Sequence, residues 1–432
     1  MTTNVVSHGS EVTLDAHAEP VATAVPECRF CARPLRHTFV DLGMSPLCES
    51  YVPAERLDAM EPFFPLHARV CERCLLVQLE QFVTPEEIFR EYAYFSSYSD
   101  SWVHHARAYV ADATARFGIG PDSLVIEVAS NDGYLLQHVR ERNIPALGIE
   151  PAANVAVAAR ERGIETIVRF FGRDLAGELV TAGRRADLLV ANNVMAHVPD
   201  LNDFVAGLAA VLAPGGVATI EVPHLHRLID GNQFDTIYHE HFSYFSFLTA
   251  QAVLAAHELV VFDVDELPSH GGSLRLYAQP RLTGRHAVSP SVRNLAAAER
   301  ALGYDTLAAH TCFAARAQDA KFKLLEFLIS ARRDGGRVAG YGAPGKGNTL
   351  LNYCGIRTDL IEFTVDRNPY KQGSFLPGTH IPIRDPVALD RERPDYIVIL
   401  PWNLKREIIA QLAHARAWGA RFVIPIPELE VL

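Results

Sequence analysis

The chain has 432 residues, 49% of them hydrophobic and 21% charged, and a formal net charge of −11. That length exceeds what one core organises and implies two or three domains of a globular, not disordered, protein. The acidic balance argues against a nucleic-acid partner, and no apolar run reaches the roughly 20 residues that a bilayer span needs.

Residues 1–26 are small, polar and aperiodic, without the layout of a secretory signal. They read as a flexible tail on a cytoplasmic protein. Two CxxC knuckles follow, Cys28–Cys31 and Cys71–Cys74. Each presents two sulfurs on one tight turn, so together they can close a tetrahedral thiolate site. Zinc is the expected metal, with iron the alternative. Four thiolates leave no open position, which makes the site structural. The 39 residues between the knuckles exceed the usual spacer and are expected to form a small lobe, set at residues 27–85. Cys48, Cys312 and Cys354 read as core or surface residues.

A helical-looking bridge over 84–118 leads into an alternation. SLVIEVAS, PALGIEP, ADLLVANNV and VATIEVP read as strands, GYLLQHVRER, NVAVAARERG and LNDFVAGLAAVL as helices, and APGG as a turn. This implies a parallel sheet with helices on both faces and ligands beyond the carboxyl ends of the strands. LVVFDVDEL and GGSLRLYAQP would finish the sheet, giving an α/β domain over 86–285. After a helical stretch the alternation restarts at GRVAGYGA, with PGKGN as a loop and TLLNYCG opening a helix. Residues 286–432 are expected to hold this second α/β unit.

The first domain offers a cofactor site. In VIEVASNDGYLL, Glu127 ends a strand, and Asn131 and Gly133 lie in the turn before a helix. Glu150 ends the next strand, placed to accept hydrogen bonds from ribose hydroxyls. Asn193 follows at a third strand end. The GxGxxG cradle for a pyrophosphate is reduced to one glycine, which favours a cofactor with a ribose and no phosphate, S-adenosylmethionine.

FDTIYHEHFSYFS, residues 234–246, crowds aromatics around His239, Glu240 and His241. Such density suits core packing, a metal clip or proton transfer, although HExxH spacing is absent. In the second unit, Gly345, Lys346 and Asn348 lie where a glycine-rich loop meets a helix start, a natural anion site that does not have Walker A spacing.

Together, CxxC…CxxC, EVASNDGYLL, GIEP, NNVMAHVPD, YHEHFSYFS, SHGGSLRLYA and GYGAPGKGN resemble the sugar C-methyltransferases of deoxysugar biosynthesis. The resemblance runs from about Cys28 to the C-terminus. It implies a zinc-binding lobe, a central class I S-adenosylmethionine domain and a C-terminal Rossmann-like domain that binds the nucleotide sugar. The implied substrate is a dTDP-linked 4-keto deoxysugar methylated at C-3, with 3-amino-2,3,6-trideoxy sugars as substrates of similar enzymes. The anion at Lys346 would be its diphosphate. Tyr92, His197, Tyr238, Glu240 and His241 are implied active-site residues.

Methylating carbon needs a base, a donor for the enolate oxygen and a methyl sulfonium in line. His241 is the expected base, because imidazole titrates near neutral pH. Tyr238, three positions earlier, would share a helical face with it and donate to the ketone oxygen. Glu240 would orient an imidazole or hold the sugar, and His239 is the poorer candidate base. A monomer or small oligomer is expected. The rival readings are methylation at C-5, O or N, and a non-catalytic nucleotide-sugar or nucleic-acid binder.

Overall fold

The structure is a computed structural model that describes residues 25–88 and 95–432. Its strands are, in chain order, β1 (His37–Ser45), β2 (Phe64–Val70), β3 (Val77–Leu79), β4 (Val125–Val128), β5 (Ala146–Ile149), β6 (Glu165–Ile167), β7 (Ala186–Asn192), β8 (Leu212–Pro223), β9 (Ser243–Tyr244), β10 (Leu259–Leu267), β11 (Ser273–Pro280), β12 (Val338–Tyr341), β13 (Thr364–Val365), β14 (Ile383–Arg384), β15 (Tyr396–Ile399), β16 (Arg421–Ile424) and β17 (Glu430–Val431). They form three sheets.

The central sheet has the order β10-β11-β8-β7-β4-β5-β6. Fully buried runs such as Val125–Val128 fit a strand covered on both faces. β4 to β8 are parallel, but β11 runs antiparallel to both β8 and β10, which corrects the expectation of an all-parallel sheet. β11 is thus inserted between β8 and β10, so that the sheet ends in an antiparallel hairpin. The Pro-Gly-Gly turn lies inside β8: Leu212 pairs with Ala186 and Val217 with Leu188, so residues 213–216 bulge out between them.

The C-terminal sheet has the order β14-β13-β12-β15-β16-β17, parallel except for β17. The N-terminal sheet, β1-β2-β3-β9, is antiparallel. Its last strand belongs to the FDTIYHEHFSYFS segment, so that segment is sewn into the N-terminal lobe. Apolar burial explains the arrangement. Phe39, Leu66 and Ala68 of the lobe share one core with Phe234, Ile237 and Tyr244 and with Phe313, Val338 and Ile397 of the C-terminal unit. Phe39 stacks on Phe313 at 4.7 Å. Burial of this apolar area, worth about 25 cal/mol per Å², clamps the segment between two bodies.

A buried hydrogen-bonded pair reinforces the seam. His224, just past β8, meets Glu299 at 2.7 Å, and each is 1% exposed. Glu299 also accepts from the amides of Phe247 and Leu248, at the start of helix Phe247–Ala256. Glu299→Ala would leave a buried imidazole and two helix N–H groups without their acceptor, at a cost of about 1–3 kcal/mol for each group left unpaired. Urea denaturation should show that loss of stability, which a change near zero would refute.

Candidate active site

The two knuckles fold alike. The amide of Ala32 donates to Cys28 and that of Leu75 to Cys71, and both Ala32 and Leu75 have positive φ. The sulfurs of Cys28, Cys31, Cys71 and Cys74 lie within 4.8 Å of one another, with separations of 3.5 Å for Cys28–Cys74 and Cys31–Cys71. A tetrahedron of 2.3 Å zinc–sulfur bonds has edges of about 3.8 Å, so the donors fit zinc. Gln78 donates to Cys28 Sγ at 3.2 Å while pairing with Ser243 in the β3–β9 ladder. The metal site therefore supports the strand that follows His241.

The cofactor loop lies at the carboxyl ends of β4, β5 and β7. Ala129, Asn131 and Gly133 all have positive φ, turning the backbone sharply after Glu127. Both carboxylate oxygens of Glu127 are buried and have no hydrogen-bond partner, as is Asn193 Oδ1. Burial and the nearby charges of Asp132 and Glu150 push the Glu127 pKa well up. Such buried acceptors fit the ammonium and hydroxyl donors of S-adenosylmethionine. Glu150, the expected ribose ligand, accepts from the amides of Asn131 (3.0 Å) and Ala152 (2.8 Å). Asn131 Oδ1 accepts from the amide of Ser96 at 2.9 Å, and Asp132 from Ser97 and Arg162. Residues 95–99 thus form a strap over the loop. Sequence reasoning missed Asp132, although the Asn-Asp pair was its visible signal.

Tyr238 and His241 do come together, but not on a helix. The amide of His241 donates to the Tyr238 carbonyl at 2.9 Å, closing a tight turn, and the rings lie 4.0 Å apart. The Phe242 amide donates to the Ala196 carbonyl, which brings the His197 ring to 4.6 Å from His241. His241 Nδ1–H donates to the Thr236 carbonyl at 2.9 Å. A carbonyl can only accept, so the neutral ring carries its proton on Nδ1 and offers the Nε2 lone pair. Burial, then His197, push the His241 pKa well below 6.5. Burial, followed by His270, lowers that of His197 to about 4. Both rings are neutral at pH 7.

Glu240 is buried beside Cys48, whose thiol lies 3.8 Å from Oε1. Burial, then the charge of Glu49, push its pKa up to about 8, so it is a protonated donor at neutral pH. His239 points away and meets the Pro65 carbonyl at 3.2 Å, outside the ring cluster. Tyr92 lies outside the described residues.

In the C-terminal unit the expected PGKGN loop is already helix, which begins at Gly345. The glycine is needed for packing: a Cβ there would sit 2.7 Å from Cys48 Sγ. The side-chain amide of Asn348 donates to the Cys48 carbonyl. Lys346, expected as an anion ligand, bonds Asn403 at 3.1 Å and lies 4.9 Å over the Trp402 ring. Lys346 is also a charge felt by His241 and His270, so this helix start faces the ring cluster.

Comparison with known proteins bears on this geometry. Family models match in three blocks: a proposed zinc-binding domain over residues 28–89, a methyltransferase domain over 102–264, and a C-methyltransferase C-terminal domain over 268–427. The C-methyltransferase NovU of Streptomyces niveus is 36% identical over 414 residues, 96% of this chain and 98% of the relative. The chain belongs to the C-methyltransferase family. A ubiquinone biosynthesis O-methyltransferase of Methylobacterium sp. is 31% identical over 26% of this chain and 48% of its own. The solved 1,6-didemethyltoxoflavin-N1-methyltransferase of Burkholderia thailandensis aligns at 17% identity and TM-score 0.35, over 48% of this chain and 94% of that one. The enzyme is an S-adenosylmethionine-dependent methyltransferase with a zinc site. Among the described residues, no helix is long and apolar enough to cross a membrane.

Metal analysis should find about one zinc per chain, since binding and folding of such sites are coupled. Cys71→Ser should lose the zinc and lower the melting temperature, whereas unchanged zinc content would contradict the four-thiolate site.

Proposed function

We propose that this C-methyltransferase acts at C-3 of a dTDP-linked 4-keto deoxysugar, a 3-amino-2,3,6-trideoxy hexose, in antibiotic sugar biosynthesis. The observation that carries the reading is the turn placing Tyr238 4.0 Å from a His241 ring whose Nε2 is the acceptor. A hydrogen next to a ketone is acidic enough for a neutral imidazole to remove, because the charge spreads onto oxygen.

His241 Nε2 takes that hydrogen, and the Tyr238 phenol donates to the developing enolate oxygen. The protonated Glu240 carboxyl donates a further hydrogen bond to the sugar. His197 backs the base and, being neutral, adds no charge that would repel its proton. Bound S-adenosylmethionine supplies an electrophilic methyl group, and Glu127, Glu150 and Asn193 hold its polar groups. Holding base and carbon acid in register accounts for up to about 7–11 kcal/mol of the barrier. The diphosphate lies at the helix start of Gly345, Lys346 and Asn348, where the positive end of the helix and a cation favour an anion, although the Asn348 amide itself bonds the Pro344 carbonyl. Tyr92 is given an active-site role by the family resemblance alone, and the protein works in the cytoplasm without a nucleic-acid partner. The residue spans that carry these roles are 27–85, 86–285 and 286–432.

Two measurements check the proposal. The enzyme should exchange the hydrogen next to the ketone with deuterated solvent, and His241→Asn should slow that exchange by about 10²–10⁴-fold. Exchange at the parent rate would remove His241 as the base. The rate should fall as pH rises through about 8, where Glu240 loses its proton. Glu240→Gln should abolish that limb, and its persistence would assign it to another group.

A further inference from the structure

Asp235 stands three residues before Tyr238 and is fully buried, yet the sequence motifs give it no role. One of its oxygens, Oδ2, accepts from the indole N–H of Trp402 at 2.7 Å, across 167 positions of chain. The other, Oδ1, is buried without a hydrogen-bond partner. Trp402 follows β15, at the carboxyl end of the C-terminal sheet. Its ring lies under Lys346 at 4.9 Å. Its edge leaves no room beside Gly271, where a Cβ would approach within 2.9 Å. One indole therefore touches the APGKGN, SHGG and FDTIYHEH segments at once. Asp235 lies in the 3-10 turn Phe234–Thr236, and the Thr236 carbonyl of that turn is the acceptor for His241 Nδ1–H.

We propose that Asp235 and Trp402 are positioning residues that tie the Lys346 helix to the turn holding His241, and so keep the base in its Nδ1–H tautomer. This rests on His241 being the base. The C-terminal unit then does more than bind substrate: its docking sets which ring nitrogen is available for chemistry. A strand-end indole is suited to this, because it is rigid and carries a single donor.

Ring ¹⁵N spectroscopy of the whole enzyme, with and without S-adenosylhomocysteine, tests the link. The parent should show His241 protonated at Nδ1. Trp402→Phe, which removes only the donor, should give a mixture of tautomers and lose roughly a hundredfold in methyl transfer, with S-adenosylhomocysteine affinity unchanged. Asp235→Asn keeps an oxygen for the indole and should keep the parent ring signature. If Trp402→Phe does not fold, Asp235→Leu makes the same break from the other side. A disrupting variant with the parent tautomer, or loss of that tautomer in Asp235→Asn, would overturn the proposal. The spectrum needs no substrate, so an enzyme inert towards dTDP-keto sugars would end the proposed function without touching this inference.

Discussion

A single hydrogen bond, from His241 Nδ1–H to the carbonyl of Thr236, decides what the cluster of rings can do. Reversed, it would bury the lone pair against the backbone and leave the ring nothing with which to accept a hydrogen. The bond forms because residues 234–241 cannot adopt another path. Phe234 and Ile237 are fully buried in a core shared by the zinc lobe and the C-terminal unit, and β9 is paired to β3. The thiolate site extends that constraint through Gln78, which donates to Cys28 and is the ladder partner of Ser243. The thiolate site and the Tyr238–His241 turn are thus two ends of one rigid element.

Electrostatics follow from the same burial. Desolvation lowers the pKa of an imidazole and raises that of a carboxyl, so one dry seam gives neutral His197 and His241 beside a protonated Glu240. Acceptor and donor are thereby available together at neutral pH. Lys346 faces this cluster from the other unit, and its charge further disfavours protonation of His241. An anion bound at that helix start would offset the Lys346 charge.

Much of this was legible in the sequence. Strand–helix alternation revealed the central sheet, because fully buried strands and amphipathic helices have distinct periods. The paired knuckles and the sharp turn after Glu127 were readable because each is local. What escaped was long-range. Tyr238 and His241 were expected on a helix, since three-residue spacing also suits one, whereas burial on both sides imposed a turn. Gly345 looked like a loop residue, but its size answers to Cys48, almost 300 positions earlier in the chain. Antiparallel β11, the bulge inside β8 and the Asp235–Trp402 bond likewise depend on partners that no local pattern encodes.

The chemistry this architecture serves is alkylation of carbon. It is tested most directly by supplying ¹³C-methyl S-adenosylmethionine with dTDP-4-keto deoxysugars and locating the label by NMR. A methyl group is expected on the carbon adjacent to the ketone, which becomes a fully substituted centre. Label on oxygen or nitrogen, with the adjacent carbon retaining its hydrogen, would contradict it.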